Sequence, residues 1–332
     1  MSLACATPQC CARHPRACSH ARPDEKAAKL LRSLASPAGD LAVSHTDSAN
    51  LPFARNWWTH LRDVAGVRAF ALLTTDANAW AALSSELPRH TVRCPPGVYS
   101  AQSDRHGSGP AQYRSARWTH LMFAVPRMVH WVASAGVNVL WMDTDVVALR
   151  DPMPILHAQL AALGASGRDA TAGLVLASVD GRFPDEDPHE CGRAYSESTR
   201  WGRSAGGGKL CGGLFYLRSG PGTLRFLRDW ERRLRGPGAG AKNQPHYNEA
   251  LRSASGTLQV EVMPCDLFPN GYRYNSAAWK AAQRRAPVVV HANWMKGAAV
   301  KQQRLQSWGL WRGSGTTWGA NGSTSTVRTG LE

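Results

Sequence analysis

The chain has 332 residues, of which 43% are hydrophobic and 19% are charged, amounts that suit a folded protein and exclude a disordered polyelectrolyte. No stretch reaches the roughly 20 uninterrupted apolar residues of a membrane-spanning helix. The formal net charge of +15 raises the question of nucleic-acid binding, but the basic residues, mostly arginines, are scattered from Arg13 to Arg328 without forming a block. We therefore expect no nucleic-acid partner.

Residues 1–40 are rich in Ala, Arg, Cys and Pro and predict a disordered or atypical leader, with a short helix around Lys26 to Leu34. The leader cysteines lack the paired spacing of a zinc site. No charged segment followed by an apolar one starts at Met1, so neither a signal peptide nor an anchor is visible. The sequon Asn321-Gly322-Ser323 hints at a secretory lumen.

From residue 41 onward, hydrophobic periodicity predicts helices and strands in alternation. In the first half we expect an apolar run at 41–45, a helix at 51–64, a strand at 67–73, a loop at 94–112, a helix over 118–132 that is bent or split at Pro126, and a buried strand at 137–142.

The second half continues the alternation. We expect strands at 174–179, 214–217, 258–263 and 288–290, helices at 224–234 and 244–253, a long charged loop at 181–209, and a mobile Gly/Ser/Thr-rich tail over 313–332. This order predicts an α/β fold with one domain at 41–312, whose ligands bind outside the carboxyl ends of its strands.

Two carboxylates follow the buried strand at 137–142. Asp143 and Asp145 are separated by one residue, so both can reach one hard cation, and Mg²⁺ or Mn²⁺ prefers such oxygen ligands. A solvated turn is the simpler interpretation of two aspartates alone. Their position after a strand strengthens the metal hypothesis.

Other polar groups follow other predicted elements. His291 comes directly after the strand at 288–290 and can complete an Asp/Asp/His site, while Lys296 and Lys301 nearby would meet a diphosphate. Gly212 and Gly213 would let the backbone approach a ligand closely. Asn243 and Gln244 begin a helix, where their amides could hold sugar hydroxyls or cap the helix.

Together these segments resemble the nucleotide-diphospho-sugar transferases of plants and green algae, glycosyltransferase family 77. The markers lie between Leu41 and Trp311. They are N-W-x-x-H-L at 56–61, V-L-W-M-D-T-D-V-V-x-L-R-D-P at 139–152, C-G-G-L-F-Y-L-R-S at 211–219, N-Q-x-x-x-N at 243–248 and V-H-A-N-W at 290–294.

The resemblance implies a GT-A fold, which is a Rossmann-like α/β/α sandwich around a mixed, mostly parallel sheet. It implies a retaining transferase that uses a UDP-sugar with Mn²⁺ or Mg²⁺ and acts on a cell-wall glycan or glycoprotein in the Golgi lumen. Any membrane attachment would need an anchor that is not visible in this chain.

The resemblance also implies roles for individual residues. Asp143, Asp145 and His291 would bind the metal, with Asp143 also near the ribose. The remaining nucleotide-sugar contacts would come from Thr74, Asp76, Gly212, Gly213, Lys296 and Lys301, and the catalytic contacts from Asn243 and Gln244.

The chain departs from the family pattern at Asn243, where the family usually has Asp. An amide cannot carry that negative charge, so a non-catalytic relative that only binds nucleotide-sugar or glycan stays open. D-T-D-V-V also fits the D-x-D signature of haloacid dehalogenase phosphatases, in which the first Asp is a nucleophile. No acidic pair after residue 188 completes that phosphatase pattern.

Overall fold

The computed structural model describes residues 22–99, 116–165, 173–180, 210–236, 242–254, 257–313, 316–318 and 324–326. Several features expected from the sequence lie outside the described residues. They are the first half of the leader with its four cysteines, most of the loop at 94–112, the loop at 181–209 with Cys191, and the sequon at Asn321.

The strands in chain order are β1 (Asp40–Thr46), β2 (Phe70–Thr74), β3 (Thr91–Arg93), β4 (Asn138–Met142), β5 (Val146–Ala148), β6 (Leu174–Val179), β7 (Leu210–Arg218), β8 (Gln259–Val262), β9 (Val289–His291), β10 (Thr316–Trp318) and β11 (Thr324–Thr326). Seven of them form one sheet in the order β3-β2-β1-β4-β7-β6-β8. β7 runs antiparallel to β4 and β6, and the other neighbours are parallel. The expected mixed, mostly parallel sheet is confirmed.

The helices are α1 (Glu25–Leu34), α2 (Leu51–Thr59), α3 (Ala77–Glu86), α4 (Ala116–Ala133), α5 (Met153–Ala165), α6 (Pro221–Leu234), α7 (Asn243–Ser253), α8 (Gly271–Asn275), α9 (Ala277–Ala282) and α10 (Ala298–Ser307). A short 3₁₀ turn (Ser48–Asn50) precedes α2, and a π-helical turn (His60–Val64) extends it. Among these described helices, none combines the length and the apolarity that crossing a bilayer requires.

Both faces of the sheet are covered. In β4, Val139 and Trp141 belong to one apolar cluster, and Leu140 and Met142 belong to another, because successive strand residues point to opposite faces. The first cluster includes residues of α1, α4, α6 and α7, and the second includes residues of α2, α3 and α5. The apolar strands are thus buried on both sides, which confirms the predicted α/β/α sandwich.

The structure refines several expected boundaries. Helix α1 buries Ala28 and Leu31 against the first cluster, so the packed body begins before residue 41. Helix α4 continues through Pro126 and is not split. Gly212 and Gly213 lie inside β7 and not before it, so the strand is longer than the sequence indicated.

The residues after Asp145 form a strand that periodicity alone did not predict. β5 pairs antiparallel with β9, with Val146 opposite His291. This two-stranded pair stands outside the main sheet and brings two distant segments together.

Candidate active site

Acidic side chains follow four parallel strands of the main sheet. Asp47 follows β1, Asp76 lies two residues beyond β2, Asp143 follows β4, and Asp180 follows β6. The carboxyl ends of parallel strands meet at one edge of a sheet, and open α/β sheets bind their ligands outside that edge. The polar groups of this chain therefore converge where such a fold binds ligands.

The three predicted metal ligands meet beyond β4. Asp143, Asp145 and His291 each present one ligand atom, and these atoms lie within 4.8 Å of one another. The β5–β9 pairing brings His291 to the aspartates, and the backbone N–H of Ala292 donates to the carbonyl of Asp145 at 3.0 Å. Asp145 and His291 are buried, being 5% and 4% exposed.

The carboxylate of Asp145 lies between the imidazole of His291 and the ammonium of Lys301. Its Oδ1 is 3.3 Å from Nε2 of His291, and its Oδ2 accepts a hydrogen bond of 2.5 Å from Nζ of Lys301. Burial opposes ionisation of Asp145, but Lys301 and His291 outweigh it and hold the pKa of Asp145 below its usual range. Asp145 is therefore charged at neutral pH.

The carboxyl of Asp143 lies in a different electrostatic environment. Burial and the neighbouring charge of Asp145 raise the pKa of Asp143 to about 6. The indole N–H of Trp141 donates to Oδ1 of Asp143 at 3.2 Å. The backbone N–H of Asp143 donates to the carbonyl oxygen of Gly213 at 2.8 Å. Near neutral pH the site thus holds two close carboxylates, an arrangement that favours binding of a cation.

A cysteine supports the imidazole of His291. Sγ of Cys211, on β7, lies 3.4 Å from Nδ1 of His291, opposite the Nε2 that faces Asp145. Burial lowers the pKa of His291, but the interactions with Cys211 and Asp145 outweigh burial, so the pKa of His291 is raised above its usual value. Cys211 was not among the predicted site residues, although it begins the C-G-G segment that the sequence analysis singled out.

Gly213 is required by the space around the cluster. A Cβ at this position would lie 2.4 Å from Oδ2 of Asp143 and 2.8 Å from Cε1 of His291. A Cβ at Gly212 would instead face Tyr247 and Trp230 at 3.7 and 3.8 Å. Of these two glycines, only Gly213 therefore borders the cluster. The space kept free there, together with two carboxylates and an imidazole, fits Mn²⁺ or Mg²⁺.

A second polar group lies at the end of β6. Asp180 accepts a hydrogen bond of 2.5 Å from Nε2 of Gln244 and one of 2.7 Å from Nδ2 of Asn293. The same Nδ2 lies 4.0 Å from Sγ of Cys211, so this group adjoins the cluster of Asp143, Asp145 and His291. Neither Asp180 nor Asn293 was predicted as a site residue. The position of Asp180 directly after a predicted strand was the signal that could have found it.

Asn243 is held inside the protein, unlike its neighbour Gln244. Its Oδ1 accepts a hydrogen bond of 2.7 Å from Nε1 of Trp230, and its Nδ2 donates to Met122 O at 3.0 Å. Both amide atoms therefore have structural partners. Of the two predicted amides, Gln244 is the one that bonds to Asp180 beside the cluster, and the catalytic role of Asn243 stays a prediction.

The other predicted ligand contacts lie around the cluster. Thr74 ends β2, which is two strands from β4 and so about 10 Å away, and its buried Oγ1 has no hydrogen-bond partner in the described part of the chain. The carboxylate of Asp76 caps α3 through Ala79 N at 2.7 Å and also accepts from Ser48 N at 2.7 Å. Lys296 is exposed between β9 and α10, whereas Lys301 reaches the cluster.

Relatives of this chain have been named as transferases. A UDP-D-xylose:L-fucose alpha-1,3-D-xylosyltransferase from Arabidopsis thaliana is 25% identical over 281 residues, covering 82% of this chain and 69% of the relative. A UDP-galactose:fucoside alpha-3-galactosyltransferase from Dictyostelium discoideum is 21% identical over 230 residues, covering 65% of this chain and 30% of the relative.

Solved structures with some likeness to this chain include two glycosyltransferases. Apo mouse xyloside xylosyltransferase 1 is 10% identical with a TM-score of 0.43, covering 78% of this chain and 99% of its own. GlyE of Streptococcus pneumoniae is 12% identical with a TM-score of 0.45, covering 82% of this chain and 60% of its own.

The family assignment comes from a family model described as nucleotide-diphospho-sugar transferase, which matches residues 66–305. That range is more than half of the chain and contains β2 to β9, including the carboxylates and the histidine of the cluster. The chain therefore belongs to the nucleotide-diphospho-sugar transferase family.

Proposed function

We propose that this protein is a metal-dependent, retaining glycosyltransferase that moves a pentose or a galactose from a UDP-sugar to a cell-wall glycan or glycoprotein. The observation that carries the proposal is the cluster of Asp143, Asp145 and His291 at the carboxyl edge of the sheet, in which Asp145 and His291 are buried. Family membership supports a nucleotide-diphospho-sugar as the donor.

Asp143, Asp145 and His291 would hold Mn²⁺ or Mg²⁺. When bound, such a cation neutralises the charge that develops on the diphosphate as it leaves. Lys301 already lies 2.5 Å from Asp145 and is placed to turn its ammonium toward the β-phosphate. Thr74, whose hydroxyl has no hydrogen-bond partner in the described residues, and Asp76 would contact the nucleoside; both lie at the end of β2, which neighbours β1.

Gln244, Asp180 and Asn293 would line the transferred sugar. The two amides donate to the two oxygens of the carboxylate and fix its orientation. A carboxylate held in this way can accept hydrogen bonds from sugar hydroxyls without reorganising. The acceptor oxygen would form its bond to the anomeric carbon as the bond from that carbon to the diphosphate oxygen breaks, and the hydroxyl proton would leave with the departing UDP. Retention requires either same-face attack or a covalent intermediate.

The sugar and the acceptor are proposed from the relatives. The Arabidopsis relative is named for transfer of xylose to L-fucose, and the Dictyostelium relative for transfer of galactose to a fucoside. We therefore propose UDP-xylose or UDP-galactose as the donor and a fucose-containing glycan as the acceptor. We also propose a Golgi-lumen location, which the resemblance to wall-glycan transferases of plants and green algae implies.

The proposal is tested by incubating the full chain with Mn²⁺, each of the two UDP-sugars and methyl α-L-fucoside. We expect UDP release together with a disaccharide whose new bond has the α configuration by NMR. Asp145→Asn is expected to lower the rate at least about 100-fold, because it removes a charged ligand of the cation that would neutralise the leaving diphosphate. Asp63→Asn, a surface acid paired with Arg62, is the matched control and is expected to leave the rate unchanged.

Other outcomes would replace the proposal. Phosphate release from p-nitrophenyl phosphate without sugar transfer would favour a phosphatase that uses Asp143 as its nucleophile. Binding of UDP-sugar or fucoside without turnover would favour a non-catalytic relative.

A further inference from the structure

Trp294 combines two features that are unusual for a large aromatic residue. Its side chain is 43% exposed, and its backbone has a φ of 63°. Among the described residues it is the only non-glycine residue with a positive φ. Bulky residues rarely adopt this conformation, and where they do, the surrounding structure holds them there, often at ligand sites.

The contacts that hold Trp294 lead directly to the candidate active site. Its neighbour Asn293 donates to Asp180 at 2.7 Å and accepts from the backbone N–H of Gly271 at 2.8 Å. One residue earlier, Ala292 donates its N–H to the carbonyl of Asp145 at 3.0 Å. The position of the indole is therefore set by the same residues that form the site.

Tyr272 provides a second exposed ring beside the indole. Its ring centroid is 6.2 Å from that of Trp294, the two planes meet at 57°, and Tyr272 is 38% exposed. The preceding Gly271 packs so closely that a Cβ there would lie 2.4 Å from the carbonyl oxygen of Asn293. The backbones that carry the two rings are thus held close together.

The sheet order places this pair on the side of the site away from the nucleoside. The proposed nucleoside contacts Thr74 and Asp76 follow β2, and Asp180 follows β6. In the order β2-β1-β4-β7-β6, these strands lie on opposite sides of β4 and its Asp143. A UDP-sugar that spans from β2 to Asp143 would point its sugar toward Asp180, so an acceptor would approach from the side of Trp294.

We propose that Trp294 and Tyr272 form an acceptor subsite that stacks against the apolar face of a pyranose ring. A pyranose presents C–H groups on one face and hydroxyls at its rim, which matches exposed aromatic rings beside the carboxylate and amide of Asp180 and Asn293. The subsite rests on the proposed function, because it assumes that the reaction transfers a sugar to a glycan.

The test separates the two rings from the fold and from the donor site. Trp294→Gly removes the indole and also places glycine where φ is positive, so a loss of folding is not expected. Tyr272→Ala removes the second ring. Leu30→Ala, at a residue of α1 that is 40% exposed, is the control for loss of an exposed apolar side chain.

Each variant is compared with the wild type for Mn²⁺-dependent UDP binding by calorimetry and for binding of methyl α-L-fucoside, in the presence of UDP and Mn²⁺, by saturation-transfer NMR. We expect Trp294→Gly and Tyr272→Ala to weaken fucoside binding at least about tenfold, which corresponds to about 1.4 kcal/mol. UDP binding and the unfolding midpoint should stay at wild-type values, and Leu30→Ala should change nothing.

Three results would overturn the subsite. The first is fucoside binding at wild-type affinity by both ring variants, and the second is an absence of fucoside binding by the wild type. The third is a loss of UDP binding by Trp294→Gly, because that result would place the ring on the nucleoside. A wild type that hydrolyses UDP-sugar but binds no fucoside would contradict the subsite and leave the proposed donor chemistry standing.

Discussion

Replacing Gly213 by alanine perturbs the candidate metal site with the smallest change the chain allows. The new methyl carbon would lie 2.4 Å from Oδ2 of Asp143, 2.9 Å from its Cγ and 2.8 Å from Cε1 of His291. Because non-bonded heavy atoms pack best at about 3.5 Å or more, the Asp143 carboxylate must move by about 1 Å. The backbones of residues 143 and 213 are hydrogen-bonded at 2.8 Å, so the strands cannot simply separate.

A shift of this size exceeds what a metal site tolerates. Ligand distances in metal sites are met to within about 0.2 Å, so a displacement of about 1 Å removes Asp143 from the ligand set. Changing a group that only supports a ligand commonly costs about 10- to 100-fold in metal affinity. We therefore expect Gly213→Ala to weaken Mn²⁺ binding at least about 100-fold.

Calorimetric titration of Mn²⁺ into the full chain with UDP present measures this effect. Gly212→Ala is the matched control, because its Cβ would meet only Tyr247 and Trp230 at ordinary contact distances. The control should keep wild-type affinity, and thermal unfolding checks that both variants are folded. Wild-type Mn²⁺ affinity in Gly213→Ala would refute the assignment of Asp143 and His291 to one metal site.

Three further predictions concern charge and polarity. Lys301→Met should strengthen binding of Mn²⁺ alone by about tenfold, because a competing cation leaves Asp145, while it weakens UDP binding in the presence of Mn²⁺. Equal Mn²⁺ affinity by calorimetry would contradict this. Asn243→Asp should lower the free energy of unfolding by about 1–3 kcal/mol in denaturant titrations, because a carboxylate cannot donate to Met122 O, and unchanged stability would argue against that bond. Burial lowers the pKa of His45 to about 4, so the unfolded chain takes up a proton near pH 6.5 that the folded chain does not. The contribution of His45 to the free energy of unfolding should be fully present above pH 6.5 and fall by up to about 3 kcal/mol as the pH decreases to 4. In denaturant titrations, the free energy of unfolding of His45→Phe should decrease less than that of the wild type over the same pH range.

Local patterns predicted the parts of the fold that depend on local order. The strand before Asp143 was predictable because an apolar run of this length, flanked by Gly136 and by polar residues, is typical of a buried parallel strand. The full length of β7 was not predictable, because Gly212 and Gly213 have low strand propensity. Pairing of β7 with β4 and β6 stabilises the extended conformation of this strand. β5 was missed for a similar reason, since its partner β9 lies far along the chain.

The candidate site shows the same division. Asp143, Asp145 and His291 could be found because each lies at or directly after an apolar segment. The contact of Cys211 with His291 and the bonds of Asp180 to Gln244 and Asn293 join segments that no periodicity connects. The leader boundary at residue 41 followed composition, and composition does not reveal that Leu31 packs into the core.

Thermal unfolding of the full chain and of Asp145→Asn, each with Mn²⁺, UDP or both, tests the metal–nucleotide site most directly. A ligand at 100 times its dissociation constant stabilises the folded state by about 2.7 kcal/mol, which raises the midpoint measurably. We predict a rise that is largest for the wild type with both ligands present and absent in Asp145→Asn. An unchanged midpoint in the folded wild type with both ligands at saturating concentrations would contradict a metal–diphosphate site at Asp143, Asp145 and His291.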